Sequence, residues 1–98
     1  MYLISYRAVA AQEYQDAINW YAERSKPAAE KFVKAIDEKL DSISRNPKQY
    51  KNLYKNYYEV STRKYPFCIV YFLEETLLQV VVVAIYHHKR HPKKKYRK

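Results

Sequence analysis

Apolar side chains recur along this chain with two distinct periods, and the periods divide it into elements. Tyr2, Ile4 and Tyr6 alternate with Leu3, Ser5 and Arg7, the two-residue period of a short strand over 2–7. From Val9 to Glu23 the spacing changes. Ala10, Tyr14, Ala17, Ile18, Tyr21 and Ala22 fall three and four residues apart, with Glu13, Asp16 and Asn19 opposite, which predicts an amphipathic helix. Pro27 interrupts, with Ser25 placed to cap a second helix whose apolar stripe is Ala29, Phe32, Val33, Ile36, Leu40 and Ile43. That helix ends near Arg45, because Asn46 precedes Pro47 and a residue before proline avoids the helical region. So short a connection forces the two helices into an antiparallel hairpin.

Between Pro47 and Tyr58 no period holds, and the segment reads as a loop with one helical turn. Lys48, Lys51 and Lys55 interleave there with Tyr50, Tyr54, Tyr57 and Tyr58, which either stack nucleobases or, with Tyr54 and Tyr58 four apart, pack against a sheet. Three strands follow over 59–65, 67–73 and 77–87, separated by Pro66 and by the polar Glu74-Glu75-Thr76 turn. The last is apolar on both parities and so belongs in the interior of the sheet. The expected fold is α+β, in the order β-α-α-β-β-β, with a helical hairpin on one face of a small, mostly antiparallel sheet. Ninety-eight residues suit one domain, with 89–98 as a basic, partly mobile tail.

Composition narrows the chemistry. The chain contains no glycine, which excludes glycine-rich phosphate cradles and nucleophile elbows. Its single cysteine, Cys68, reads as an inert core thiol and leaves no intrachain disulfide to form. The first fourteen residues carry Arg7 and Glu13 and lack a secretory apolar run, and Leu77–Tyr86 is far shorter than the ~20 residues of a membrane span. A cytoplasmic protein with no membrane partner is therefore expected. Nineteen Lys and Arg stand against ten acids, a formal charge of +9. Residues 1–46 are neutral in sum, so the excess lies wholly in the second half, with seven of its bases in 89–98. An anionic partner follows.

Several pieces in fixed order then resemble the RelE/ParE superfamily of bacterial type II toxins. They are Ala10, Ala17-Ile18-Asn19-Trp20-Tyr21, Phe32, Asn46-Pro47, Tyr65-Pro66-Phe67 before Ile69-Val70-Tyr71, and the ending Ala84-Ile85-Tyr86-His87-His88-Lys89-Arg90-His91-Pro92. His87, Arg90 and Pro92 match the H-x-x-R-x-P finish of many ParE-like members. The resemblance implies a toxin neutralised by a cognate antitoxin. It implies either a ribosome-dependent messenger RNA endonuclease or a poison of DNA gyrase.

Metal-free RNA cleavage needs a base for the 2′-OH, cations for the phosphoryl oxygens and an acid for the leaving oxygen. By resemblance to RelE-like nucleases, Arg63, Glu59 and His87 would fill those parts, with Arg90 as a further cation. Each has a plainer reading: Arg63 as a solvated strand residue, Glu59 as a lysine's ion-pair partner, His87 as a cap on a neighbouring backbone group. Simple alternation puts Val81, Val83, Ile85 and His87 on one face, and Val82, Ala84, Tyr86 and His88 on the other. Lys55, Lys64, Lys89, Lys93, Lys94 and Lys95 are the expected phosphate contacts. No cofactor is expected, and no metal, since adjacent histidines on opposite strand faces cannot ligate one ion. The antitoxin would bring an acidic, amphipathic segment to the basic sheet face and tail. A harmless nucleic-acid-binding module is the reading outside the family.

Overall fold

The computed structural model describes residues 1–87. The expected Lys89, Arg90, Lys93, Lys94 and Lys95 contributions, and the tail as a whole, lie outside the described residues. Five strands form one sheet: β1 (Leu3–Tyr6), β2 (Lys51–Tyr54), β3 (Tyr57–Ser61), β4 (Phe67–Glu74) and β5 (Gln79–His87). Two helices, α1 (Ala8–Arg24) and α2 (Lys26–Arg45), intervene after β1. The sheet order is β1-β5-β4-β3-β2, antiparallel throughout except for the parallel β1–β5 pair. That exception is geometric: the helical hairpin carries the chain to the far edge of the sheet, and the antiparallel meander β2-β3-β4-β5 then returns it beside β1 running in the same direction. The α+β class and the hairpin are as the sequence predicts. The one helical turn expected after Pro47 is the 3₁₀ turn Pro47–Gln49, but the loop expected around it holds the edge strand β2.

The boundaries of α2 have local causes. The Ser25 hydroxyl accepts from the Ala28 backbone N–H at 3.3 Å, Pro27 follows in the first turn, and α2 stops before Pro47. Both helices lie on one face of the sheet, where Ala10, Ala17, Phe32, Ile36, Leu40 and Ile43 meet Val60, Phe67, Ile69, Tyr71, Leu73, Val80, Val82 and Ile85. Phe32 is the hub of that core, with ring centroids of Tyr21, Tyr65 and Phe67 at 4.8, 5.2 and 5.3 Å. Two buried polar groups anchor the layers. The Tyr71 hydroxyl donates to the Pro47 carbonyl, and the Ser44 hydroxyl donates to the Tyr2 carbonyl, fastening β1 to the end of α2.

The far face carries its own apolar cluster of Cys68, Val70, Val83, Ala84 and Tyr86. Val83 and Ala84 are neighbours in the chain, so strict alternation has failed between them. The cause is a bulge: Val70 pairs with Ala84 while Tyr71 pairs with Val82, leaving Val83 as an extra residue on β5. Side chains beyond it therefore change sides. Ile85 packs with Val82 on the hairpin face, not with Val81 and Val83 as simple alternation expects.

β1 covers β5 only as far as Val82, whose carbonyl accepts from the Arg7 N–H at 2.9 Å. Farther along, the Glu13 carboxylate of α1 accepts from the Ile85 N–H at 3.0 Å.

Without glycine, the turns force ordinary residues into the left-handed region: Lys55 at φ 46°, Arg63 at φ 42° and Leu78 at φ 50°. Each position costs roughly 1–2 kcal/mol relative to glycine, from the crowding of its β-carbon. Leu78 is exposed and caps the 3₁₀ turn Glu75–Leu77 through its backbone alone, donating to the Glu75 carbonyl at 3.1 Å. Leu78→Gly is therefore expected to raise stability by about 0.5–1 kcal/mol, or Tm by roughly 2–8 °C. Thermal unfolding followed by circular dichroism checks this, and a lower Tm would show that the turn is not strained.

Candidate functional site

The turn between β3 and β4, residues 62–66, places Arg63 and Lys64 on the hairpin side of the sheet. Its foundation is Thr62, 95% buried, whose N–H donates to the Phe67 carbonyl at 3.1 Å. Its hydroxyl lies 3.0 Å from the Tyr65 carbonyl and 3.2 Å from that of Phe67. A turn held so firmly from below can keep Arg63 in its costly conformation, with the guanidinium directed outward.

Arg63 and Lys64 line a cleft of about 580 Å³ between this turn and α2. Lys31, Lys34 and Lys39 face them from α2, against one carboxylate, Glu38. Tyr50 and Tyr65 supply rings. The Tyr50 hydroxyl is hydrogen-bonded to that of Ser42 at 2.7 Å, and the Lys39 ammonium sits 5.5 Å from the Tyr50 ring centroid. The three α2 lysines were not among the sequence candidates, because residues 1–46 sum to zero charge. For two of them the signal was lateral. At about 100° per residue, Glu30, Asp37 and Asp41 share one side of α2 and Lys31 and Lys39 fall well around from it, whereas Lys34 falls beside the acids and carries no such signal.

His87 lies on the same side of the sheet but in a separate, smaller cleft, of about 230 Å³, with Trp20, Tyr21, Pro66 and Phe67. Its ring meets Phe67 edge-on at 5.3 Å. The bulge in β5 puts it there. The two clefts flank one turn, and Tyr65 stands between them, lining the first while its ring meets Tyr21 at 5.5 Å. Arg24, at the end of α1, lies over the Trp20 ring with its guanidinium carbon 3.5 Å from the centroid.

Glu59 is elsewhere. It pairs in register with Val70 and accepts a hydrogen bond from the Tyr86 hydroxyl, so it belongs to the far face. Burial first, and then the bonds to Glu59 and Cys68, hold the Tyr86 phenol well above the usual tyrosine range, keeping it protonated and donating. Lys51 of β2 is opposite Glu59 in the register, yet among the described residues Glu59 makes no ion pair. The carboxylate of Glu59 and the imidazole of His87 thus have the sheet between them and cannot serve one phosphate. Lys55 sits in the β2–β3 turn, exposed, its ammonium 5.3 Å from the Tyr54 ring. Arg90 lies outside the described residues. No described helix is long and apolar enough to cross a membrane.

A family model described as the ParE toxin of the type II toxin–antitoxin system parDE matches residues 4–92. No curated protein matches the chain. Among solved structures, the chain is similar to the chromosomal ParDE toxin–antitoxin system of P. aeruginosa, with a TM-score of 0.72 at 15% identity over 89% of this chain and 96% of that one. It is similar to the isolated E. coli RelE toxin, with a TM-score of 0.65 at 14% identity, covering 89% and 84%. The intact E. coli RelBE toxin–antitoxin complex gives 0.63 at 15% identity, covering 87% and 94%. These likenesses are of fold.

Proposed function

Because the chain belongs to the ParE toxin family of type II toxin–antitoxin systems, we propose that it is held inactive by a cognate antitoxin and, once free, cuts messenger RNA on the ribosome without a metal. The antitoxin is supported by the similar ParDE and RelBE systems, each a toxin with its antitoxin. The observation that carries the cleavage reading is that Arg63 and His87 stand on one side of the sheet, at either flank of the same turn. In this reading Arg63 and Lys64 bind the phosphoryl oxygens, where charge grows in the transition state. His87 moves the proton, and Arg90 adds a further cation. Glu59 takes no direct part; its bond to Tyr86 fastens β3 to β5 across β4.

A second reading, a gyrase poison that cuts nothing, is favoured by the ParE identity of the matching family model and by the division of Arg63 and His87 between two clefts. One pair of measurements separates the two. Purified toxin added to a translation reaction is expected to give ribosome-dependent breaks within the reading frame, mapped by primer extension. Intact messenger together with gyrase-linked double-strand breaks in a supercoiling assay would replace the first reading with the second.

A further inference from the structure

The α2 side of the larger cleft carries more than the cleavage reading asks of it, since three lysines face the turn from a helix that reading does not use. We propose that this cleft, framed by Lys31, Lys34 and Lys39 on one wall and Arg63 and Lys64 on the other, seats the sugar–phosphate backbone of single-stranded RNA beside the point of attack. The inference rests on RNA being what the toxin acts on.

Five cations stand against Glu38 alone. The ion pairs among the described residues are Arg24–Glu23, Arg45–Asp41 and Lys48–Glu75, so none neutralises a cleft cation. Charges gathered this way repel one another, and a polyanion relieves that repulsion while releasing its own counterions. The lysines rise along about 12 Å of helix, at ~1.5 Å per residue, which suits a chain of successive phosphates better than one small anion. Arg63 presents a planar fork of donors from a position where its backbone is strained.

The walls favour nucleic acid over an acidic protein segment. An amphipathic partner helix would need aliphatic surface for its apolar stripe, and Ala35 is the one aliphatic side chain in the lining. The cleft offers tyrosine rings instead. That of Tyr50 is held by its bond to Ser42, and that of Tyr65 by its packing on Phe32, so each is a fixed surface for a base.

The test is binding of a fluorescent oligouridylate with 2′-O-methyl riboses, which cannot be cleaved, measured by anisotropy against salt. The triple variant K31Q/K34Q/K39Q is expected to weaken binding and to flatten the slope of log K against log salt by about two, near 0.7 per lost phosphate contact. E38Q is expected to bind several-fold more tightly, a gain that misfolding cannot mimic. R7Q/K26Q, which removes charge outside the cleft, is expected to leave the slope unchanged. The proposal falls if the triple variant keeps the wild-type slope, if E38Q gains nothing, or if R7Q/K26Q loses as much per charge. It also falls to the acidic-partner alternative if oligoglutamate of equal length binds more tightly than the RNA. Messenger that is cut normally by the triple variant with an unchanged slope defeats this inference alone. Messenger that wild-type toxin never cuts defeats the reading beneath it.

Discussion

Arg63→Ala is expected to slow messenger cleavage by about 100- to 1,000-fold, the scale on which removal of one preorganised donor to a developing oxyanion acts. Alanine keeps the β-carbon and therefore the left-handed strain at φ 42°. Arg63→Gly removes both the guanidinium and the strain, so it is expected to lose as much activity as alanine while gaining roughly 1 kcal/mol in stability. Lysine should recover part of the rate, because a point charge meets phosphate without the bidentate geometry of arginine. Single-turnover cleavage and thermal unfolding, measured on the same preparations, separate the two effects. A glycine variant that cuts at the wild-type rate would take Arg63 out of the chemistry.

Phe32→Ala is expected to cost about 3–5 kcal/mol. Against a total of about 5–15 kcal/mol for a domain of ordinary stability, that loss is a large share of the margin that keeps the chain folded. Phe32 is fully buried, and its ring meets those of Tyr14, Tyr21, Tyr65 and Phe67. The residue therefore joins both helices to the turn that carries Arg63, and its removal opens a void among rings too rigid to collapse into it. Leucine should restore a good part of the stability. Urea unfolding gives the number, and a cost below about 1 kcal/mol would mean that the surrounding rings hold the turn without it.

The helices were legible because each buries one stripe and ends at a signal with a mechanism, the Ser25 cap and the Asn46-Pro47 stop. β2 was not. Its residues Lys51, Asn52 and Tyr54 are exposed and Leu53 is half-buried, so an edge strand paired on one side left no alternation to read. The bulge was hidden for the opposite reason. Val80 through Ile85 are all apolar, and a slip within a uniform run changes the facing of residues without changing the pattern. That slip decided the site, since it set His87 on the hairpin side and left Tyr86 with Glu59 behind the sheet. Lys31 and Lys39 were missed because summing charge along the chain discards which side of a helix each one takes, and Lys34 because it lies beside acids on the helix surface.

The bond from Glu13 to the Ile85 N–H reaches beyond the core it decorates. Among the described residues β1 pairs with β5 no farther than Val82, and a strand margin left unpaired is a template on which a second copy of a chain can lay its own backbone. A carboxylate seated on that rung occupies the donor such a copy would need and brings a negative charge to where its carbonyl would arrive. One side chain on α1 thereby stands in the way of edge-to-edge pairing at that rung.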